Sequence, residues 1–165
     1  MTSNDLPARL CVGLDRVEAL RLLGSVPLGR IVFTRQALPA VRPVSHVLDG
    51  GDIVIRTHEG VALTTHARQD EAQGVVVAYE ADAIDPDTRL GWSVVVTGRA
   101  RLVTDPGEVA RIRARLEPWA AREGREGGDH AVRIRPDLVT GVLLTDRPGT
   151  GRTPVIAAAR RATTG

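Results

Sequence analysis

The sequence predicts a mainly-β protein with flanking helices, in which about six antiparallel strands form a barrel or curled sheet. Three observations carry that expectation. Short segments between Gly29 and Leu144 alternate faces with the two-residue period of a strand. Turn residues join most of them over short distances, which favours antiparallel pairing. Two stretches carry helical spacing instead, each opened by an Asp with a Glu three residues later.

Residues 1–13 read as a mobile N-terminal arm. Asp15 is placed to cap a first helix, with Glu18 reaching back and Val17, Leu20 and Leu23 along one face. Gly24 and Pro27 end it. From Gly29 the period shortens, and Ile31 and Phe33 share one face of a strand. Residues 40–48 form the next strand, where Arg42, Val44, His46 and Leu48 lie opposite Val41, Pro43, Ser45 and Val47. Pro43 lacks an N–H, which argues for an edge or a bulge. Asp49-Gly50-Gly51-Asp52 is a hairpin turn, and Ile53–Thr57 returns as its second strand.

Glu59–Arg68 fits one or two helical turns. Val75–Asp82 is a strand with Val77 and Tyr79 on one side, and Asp85-Pro86-Asp87 is a turn. Trp92–Val103 is the longest strand, with Gly98 marking a bend or a close backbone approach. The second helix has Asp105 as cap, Pro106 in its first position and an apolar stripe of Val109, Ile112, Leu116 and Trp119. Arg122–Asp129 reads as a loop. Val132 and Ile134 open a last strand, resumed at Gly141–Leu144. The domain thus spans 14–145, and residues 146–165 read as a tail.

Composition narrows the function classes. A chain of 165 residues suits one domain with a core of its own. No apolar run is long enough for a transmembrane helix, and the N-terminus lacks the features of a secretory signal, so cytoplasmic residence is expected. The single Cys11 excludes an intrachain disulfide. All 22 basic residues are arginine, yet the net charge is only +2, short of the basic field of a nucleic-acid domain. Aromatics are scarce as well: Phe33, Tyr79, Trp92 and Trp119.

No phosphate-binding glycine loop, dinucleotide fingerprint, zinc helix or nucleophile elbow is present. The histidines His46, His58, His66 and His130 match no common metal-ligand spacing. The hairpin is more informative. Arg42, Ser45, Arg56 and Thr57 gather guanidinium and hydroxyl donors on two adjacent strands, as a phosphate requires. The backbone at Pro43-Val44-Ser45 can offer N–H and C=O groups to the polar edge of a planar ring. The same arginines also fit a solvated cross-strand surface.

Four segments together resemble the pyridoxamine 5'-phosphate oxidase-like proteins, and in particular their small actinobacterial branch. They are Leu28–Phe33, Pro39–Ser45, Ile53–Thr57 and, most strongly, Gly91-Trp92-Ser93-Val94-Val95-Val96-Thr97-Gly98-Arg99-Ala100. The resemblance covers roughly residues 14–104, and more weakly 130–144, and implies a split β-barrel that forms a homodimer around flavin mononucleotide (FMN). It implies that Pro43, Val44 and Ser45 face the isoalloxazine, that Arg42, Arg56 and Thr57 contribute to the site, with the last two near the phosphate, and that Trp92 lies by the shared interface. The implied activity is an FMN-dependent reductase acting on a small organic acceptor. It names no catalytic side chain and no metal. A deazaflavin (F420)-dependent reductase is the alternative, with Arg111, Arg113 and Arg115 meeting an acidic tail. A non-catalytic cofactor binder, or a cofactorless barrel, is the third. Val61 and Ala62 stand where relatives often carry a phosphate-clamping basic residue, a loss worth roughly 1.5–3 kcal/mol of charge-assisted hydrogen bonding; Arg68 or a partner's arginine is a candidate replacement.

Overall fold

The computed structural model describes residues 9–57, 63, 74–117 and 130–146. These residues form strands β1 (Arg9–Gly13), β2 (Leu28–Arg35), β3 (Leu38–Asp49), β4 (Asp52–Thr57), β5 (Val75–Ile84), β6 (Gly91–Leu102) and β7 (His130–Asp146). Helix α1 spans Arg16–Leu23 and α2 spans Pro106–Arg115. The sheet order is β1-β7-β4-β3-β2-β5-β6, and β7 also pairs with β6. Strands β2 to β7 therefore close a ring, and β1 is added outside it. Every pairing is antiparallel, as the short turns lead one to expect, and the split barrel that the family resemblance implies is the fold observed.

Local chemistry explains most of the elements. Asp15 and Asp105 each accept a hydrogen bond from the backbone N–H three residues on, at 2.9 and 2.7 Å. Gly50 and Gly51 take positive φ in the two-residue turn between β3 and β4, as such a turn requires. The turn between β2 and β3 is built differently. Gln36 and Ala37 adopt φ of 51° and 62°, without the Gly or Asn that usually permits this conformation.

Three expectations change. Residues 9–13 of the supposed arm are strand β1, paired from Arg9↔Asp146 to Gly13↔Val142 along the end of β7. Alternation there is weak because only Leu10 is even partly covered. The last strand is continuous through Pro136, where two separate pieces were expected. A bulge absorbs the proline: Gly98 pairs with Pro136 while Thr97 pairs with Leu138. A Cβ on Gly98 would lie 2.2 Å from the Arg135 carbonyl oxygen, so the glycine marks the close approach its sequence context implied. The buried face of α1 is Ala19, Leu22 and Leu23, whereas Val17 is 79% exposed. The helix is seated where its first residues meet β7. Leu14 N–H donates to the Gly141 carbonyl, and the Arg16 guanidinium donates to that of Pro136.

The barrel interior holds the main core, with Ile31, Phe33, Ile53, Ile55, Tyr79, Trp92, Val94, Val96 and Ile134 among its members. Leu63, inside the segment expected to be helical, is helical and packs there too. A second small core lies on the outer face, where Ile112 of α2 covers Val54 and Ala131. Among the described residues no helix is long and apolar enough to cross a membrane. The readings at His58, Val61, Ala62, His66, Arg68, Trp119 and Arg122–Asp129, and those beyond Asp146, lie outside the described residues.

Candidate functional site

Strand β3 changes partner halfway along. Leu38 to Ser45 pair with β2, and His46 to Asp49 pair with β4. The β3–β4 ladder stops at His46↔Ile55, while Arg56 and Thr57 continue alongside β7 as partners of Ala131 and His130. The two strands thus part into a fork. Ser45 and Val44 stand on one arm, and Arg56 and Thr57 stand at the matching positions on the other. Along the β3 arm, the edge facing away from β2 has no ladder partner among the described residues. Pro43, which has no N–H to place in a ladder, falls on this arm.

Strand alternation divides the expected site residues between two faces. Thr57 and Val44 are buried toward the barrel interior, and Arg42 follows the parity of Val44. Arg56 and Ser45 belong to the outer face, on the side of α2. There the Arg56 guanidinium donates to the Leu116 carbonyl at 2.6 Å, at the C-terminal end of the helix. The fork therefore gathers six of the seven expected residues but does not bring Arg42 and Arg56 to one face. Arg42 donates to the carbonyl of Val41 beside it. Trp92 is elsewhere, at 2% exposure within the main core of the single chain and opposite Ala83 and Leu143.

Beneath the fork runs a buried polar relay that the sequence reading did not assemble. His46 Nε2 lies 2.8 Å from the Leu23 carbonyl oxygen, and its Nδ1 lies 2.7 Å from the Tyr79 hydroxyl. A carbonyl can only accept, so Nε2 carries the proton and Tyr79 donates to Nδ1. The same hydroxyl is 3.4 Å from the Val44 carbonyl. Burial lowers the His46 pKa, against a smaller opposing effect of the Leu23 carbonyl. Burial also raises that of Tyr79, with Glu80 adding to the rise. Both groups are therefore neutral, and the relay links the last turn of α1 to the β3 arm. The face shared by Arg42, Val44 and His46 was legible, but Tyr79 reaches it through the β2–β5 pairing.

Elsewhere the charged groups are organised by strand register. Arg30 on β2 bridges Glu80 and Asp82 of β5 at 2.8 and 3.1 Å, which gives those two acids a partner within the sheet. Burial raises the Glu80 pKa, the neighbouring Asp82 adds to the rise, and Arg30 opposes it. Arg133 ties β7 to α2 and to the β3–β4 turn, reaching Glu108 at 2.6 Å and Asp49 at 2.8 Å. Hydrogen bonding to Arg133 is the main reason the Asp49 pKa is lowered. Beside α2, a cavity of about 460 Å³ is lined by Asp49, Glu108, Arg111, Ile112, Ala114 and Arg115.

The closed ring, the fork and their register are the features to set beside known proteins. A family model described as pyridoxamine 5'-phosphate oxidase matches residues 15–142. The chain belongs to this family. An uncharacterized Mycobacterium tuberculosis protein, Rv0080, is 50% identical over 137 residues, covering 83% of this chain and 88% of that protein. Among solved members, an FAD binding protein from Mycobacterium smegmatis is 32% identical, with a TM-score of 0.56 over 82% of this chain and 98% of its own. A candidate pyridoxamine 5'-phosphate oxidase from Corynebacterium glutamicum is 31% identical, with a TM-score of 0.64 over 84% of this chain and 100% of its own. The pyridoxamine 5'-phosphate oxidase fold is thus shared along nearly the whole of these structures.

Proposed function

We propose that this chain is a cytoplasmic flavin-dependent reductase that holds FMN at the β3–β4 fork and acts on a small organic acceptor. The fork itself carries the reading. A planar ring with a polar edge needs backbone donors and acceptors that no ladder consumes, and the arm at Pro43-Val44-Ser45 has an edge of that kind. A phosphate needs guanidinium and hydroxyl donors, and Arg56 and Ser45 supply them across the opening. Thr57 and Arg42 line the inner side, and Trp92 supports the barrel wall from within. Bound flavin supplies the hydride chemistry, while the protein holds and orients it. The flavin named for the Mycobacterium smegmatis relative supports the cofactor class.

A homodimer is part of the same proposal. Val41, Val32, Ala78, Thr97 and Leu138 line up by register across the outer face of β3, β2, β5, β6 and β7. Leu138 is 59% exposed at one end of this row. A largely apolar row of that length is covered well by a second copy.

The F420 alternative finds less support. Arg111 and Arg115 do line the cavity beside α2, but Asp49 and Glu108 line it with them, so its charged lining is balanced rather than basic.

The test is a fluorescence titration of apo protein with FMN, with FAD, riboflavin and F420 run in parallel. FMN is expected to saturate and to bind more tightly than riboflavin, which lacks the phosphate. Arg56→Ala should weaken FMN roughly 10- to 100-fold, the loss expected for about 1.5–3 kcal/mol of charge-assisted hydrogen bonding, and leave riboflavin unchanged. Equal affinities for FMN and riboflavin would remove the phosphate site, and no binding would leave a cofactorless barrel. Sedimentation equilibrium reads the dimer directly.

A further inference from the structure

Four arginines face one another across the β6–β7 ladder. Arg99 pairs with Arg135, and Arg101 pairs with Arg133. Directly opposed like charges destabilise an antiparallel pair, so two such pairs in succession call for an explanation. These four side chains and Asp52 line a small cleft of about 110 Å³. Its wall thus presents four guanidiniums against one carboxylate.

The neighbouring acids are unevenly distributed. Arg133 is held closely by Glu108 and Asp49 and lies 3.5 Å from Asp52. At the other end the acid is Asp137, on the bulge. It is 3.5 Å from Arg99 and 3.6 Å from Arg135, beyond the roughly 2.7–2.9 Å of a strong charge-assisted bond. The bulge that accommodates Pro136 also places Asp137 at that distance. The Arg99–Arg135 end of the cleft is therefore the less neutralised one.

We propose that the Arg99, Arg101, Arg133 and Arg135 cleft is a binding site for the phosphoryl group of a small molecule. A tetrahedral dianion accepts donors from several directions, which suits planar forks projecting from two strands. It also neutralises opposed cations at the positions where they repel. The volume, near that of three or four waters, suits a single phosphoryl group rather than an extended polyanion. The site is separate from the fork and does not depend on the flavin reading.

Thermal unfolding of the flavin-free protein tests it, with inorganic phosphate and ribose 5-phosphate each compared with chloride at matched ionic strength. A saturable rise in Tm is expected with phosphate and not with chloride. Arg135→Gln, whose side chain is 67% exposed and whose loss leaves the core intact, should weaken the half-saturating phosphate concentration at least tenfold. Arg99→Gln should do the same. Tighter binding of ribose 5-phosphate would assign the site to a phosphorylated metabolite, and equal binding would assign it to the free ion. A rise no larger than that with chloride would overturn the proposal. So would a phosphate-specific rise that survives in both glutamine variants, since the anion would then sit elsewhere.

Discussion

The β3–β4 pair and the β6–β7 pair both carry arginines, yet they treat the backbone in opposite ways. The first runs from Asp49↔Asp52 only as far as His46↔Ile55 and then opens. The second continues from Gly91↔Leu144 to Leu102↔Val132 and yields at a single bulge. In the open pair, backbone groups become available, and strand alternation puts the two arginines on different faces. In the closed pair, the ladder consumes the backbone and fixes the guanidiniums opposite one another. A ligand at the proposed fork site would therefore meet largely main-chain groups, and one at the proposed seam site would meet side chains.

The largest expected effect is at the point where the fork closes. Ile55 is fully buried opposite His46, and Ile55→Ala should cost about 2–5 kcal/mol, read as a lower denaturant midpoint at constant slope. A loss below 1 kcal/mol would mean that the closed segment does not anchor the fork. At the seam, Gly98→Ala forces a Cβ against the Arg135 carbonyl and should cost about 1–3 kcal/mol. If that variant is as stable as the parent, the bulge is softer than its geometry indicates.

A third measurement concerns the relay under the β3 arm. The His46 pKa is lowered from its ordinary 6.5 by burial, so the unfolded chain takes up a proton near pH 6.5 and the folded chain only at lower pH. Stability is then fully held above pH 6.5 and is lost as pH falls from there through the folded-state value. His46→Gln should flatten that part of the Tm–pH curve, and an unchanged slope would exclude His46 as its source. The smallest effect is at α1. Val17→Ala should change stability by less than about 0.5 kcal/mol, because the side chain faces solvent.

Features decided within a few residues were legible in the sequence. Asp15, Asp105, the Gly50-Gly51 turn and Gly98 all act where their local chemistry indicates. Features decided by distant partners were not. Val17 has the spacing of a core residue, but β7 meets α1 on another side. Strand β1 is exposed on most of its length, so its existence depends on β7 rather than on its own pattern. The turn at Gln36-Ala37 is imposed by the β2–β3 register against residue preference. For the site, the donor residues were recognisable on their strands, but the fork arises from the way β4 leaves β3 for β7. Arg99-Ala100-Arg101 and Arg133-Ile134-Arg135 alternate along the chain, but only pairing brings the two runs face to face.

Strand β7 has a consequence for the order of assembly. It is the neighbour of β4, β6 and β1, and it comes last in the chain among these strands. During synthesis the earlier hairpins can form as they emerge, but the ring has no closing member until residues 130–146 leave the ribosome. Until then β4 and β6 each present an uncovered edge, and β1 has nothing to pair with. A nascent chain stalled before His130 is thus an open sheet exposed to aggregation, and completion of one strand seals three boundaries at once.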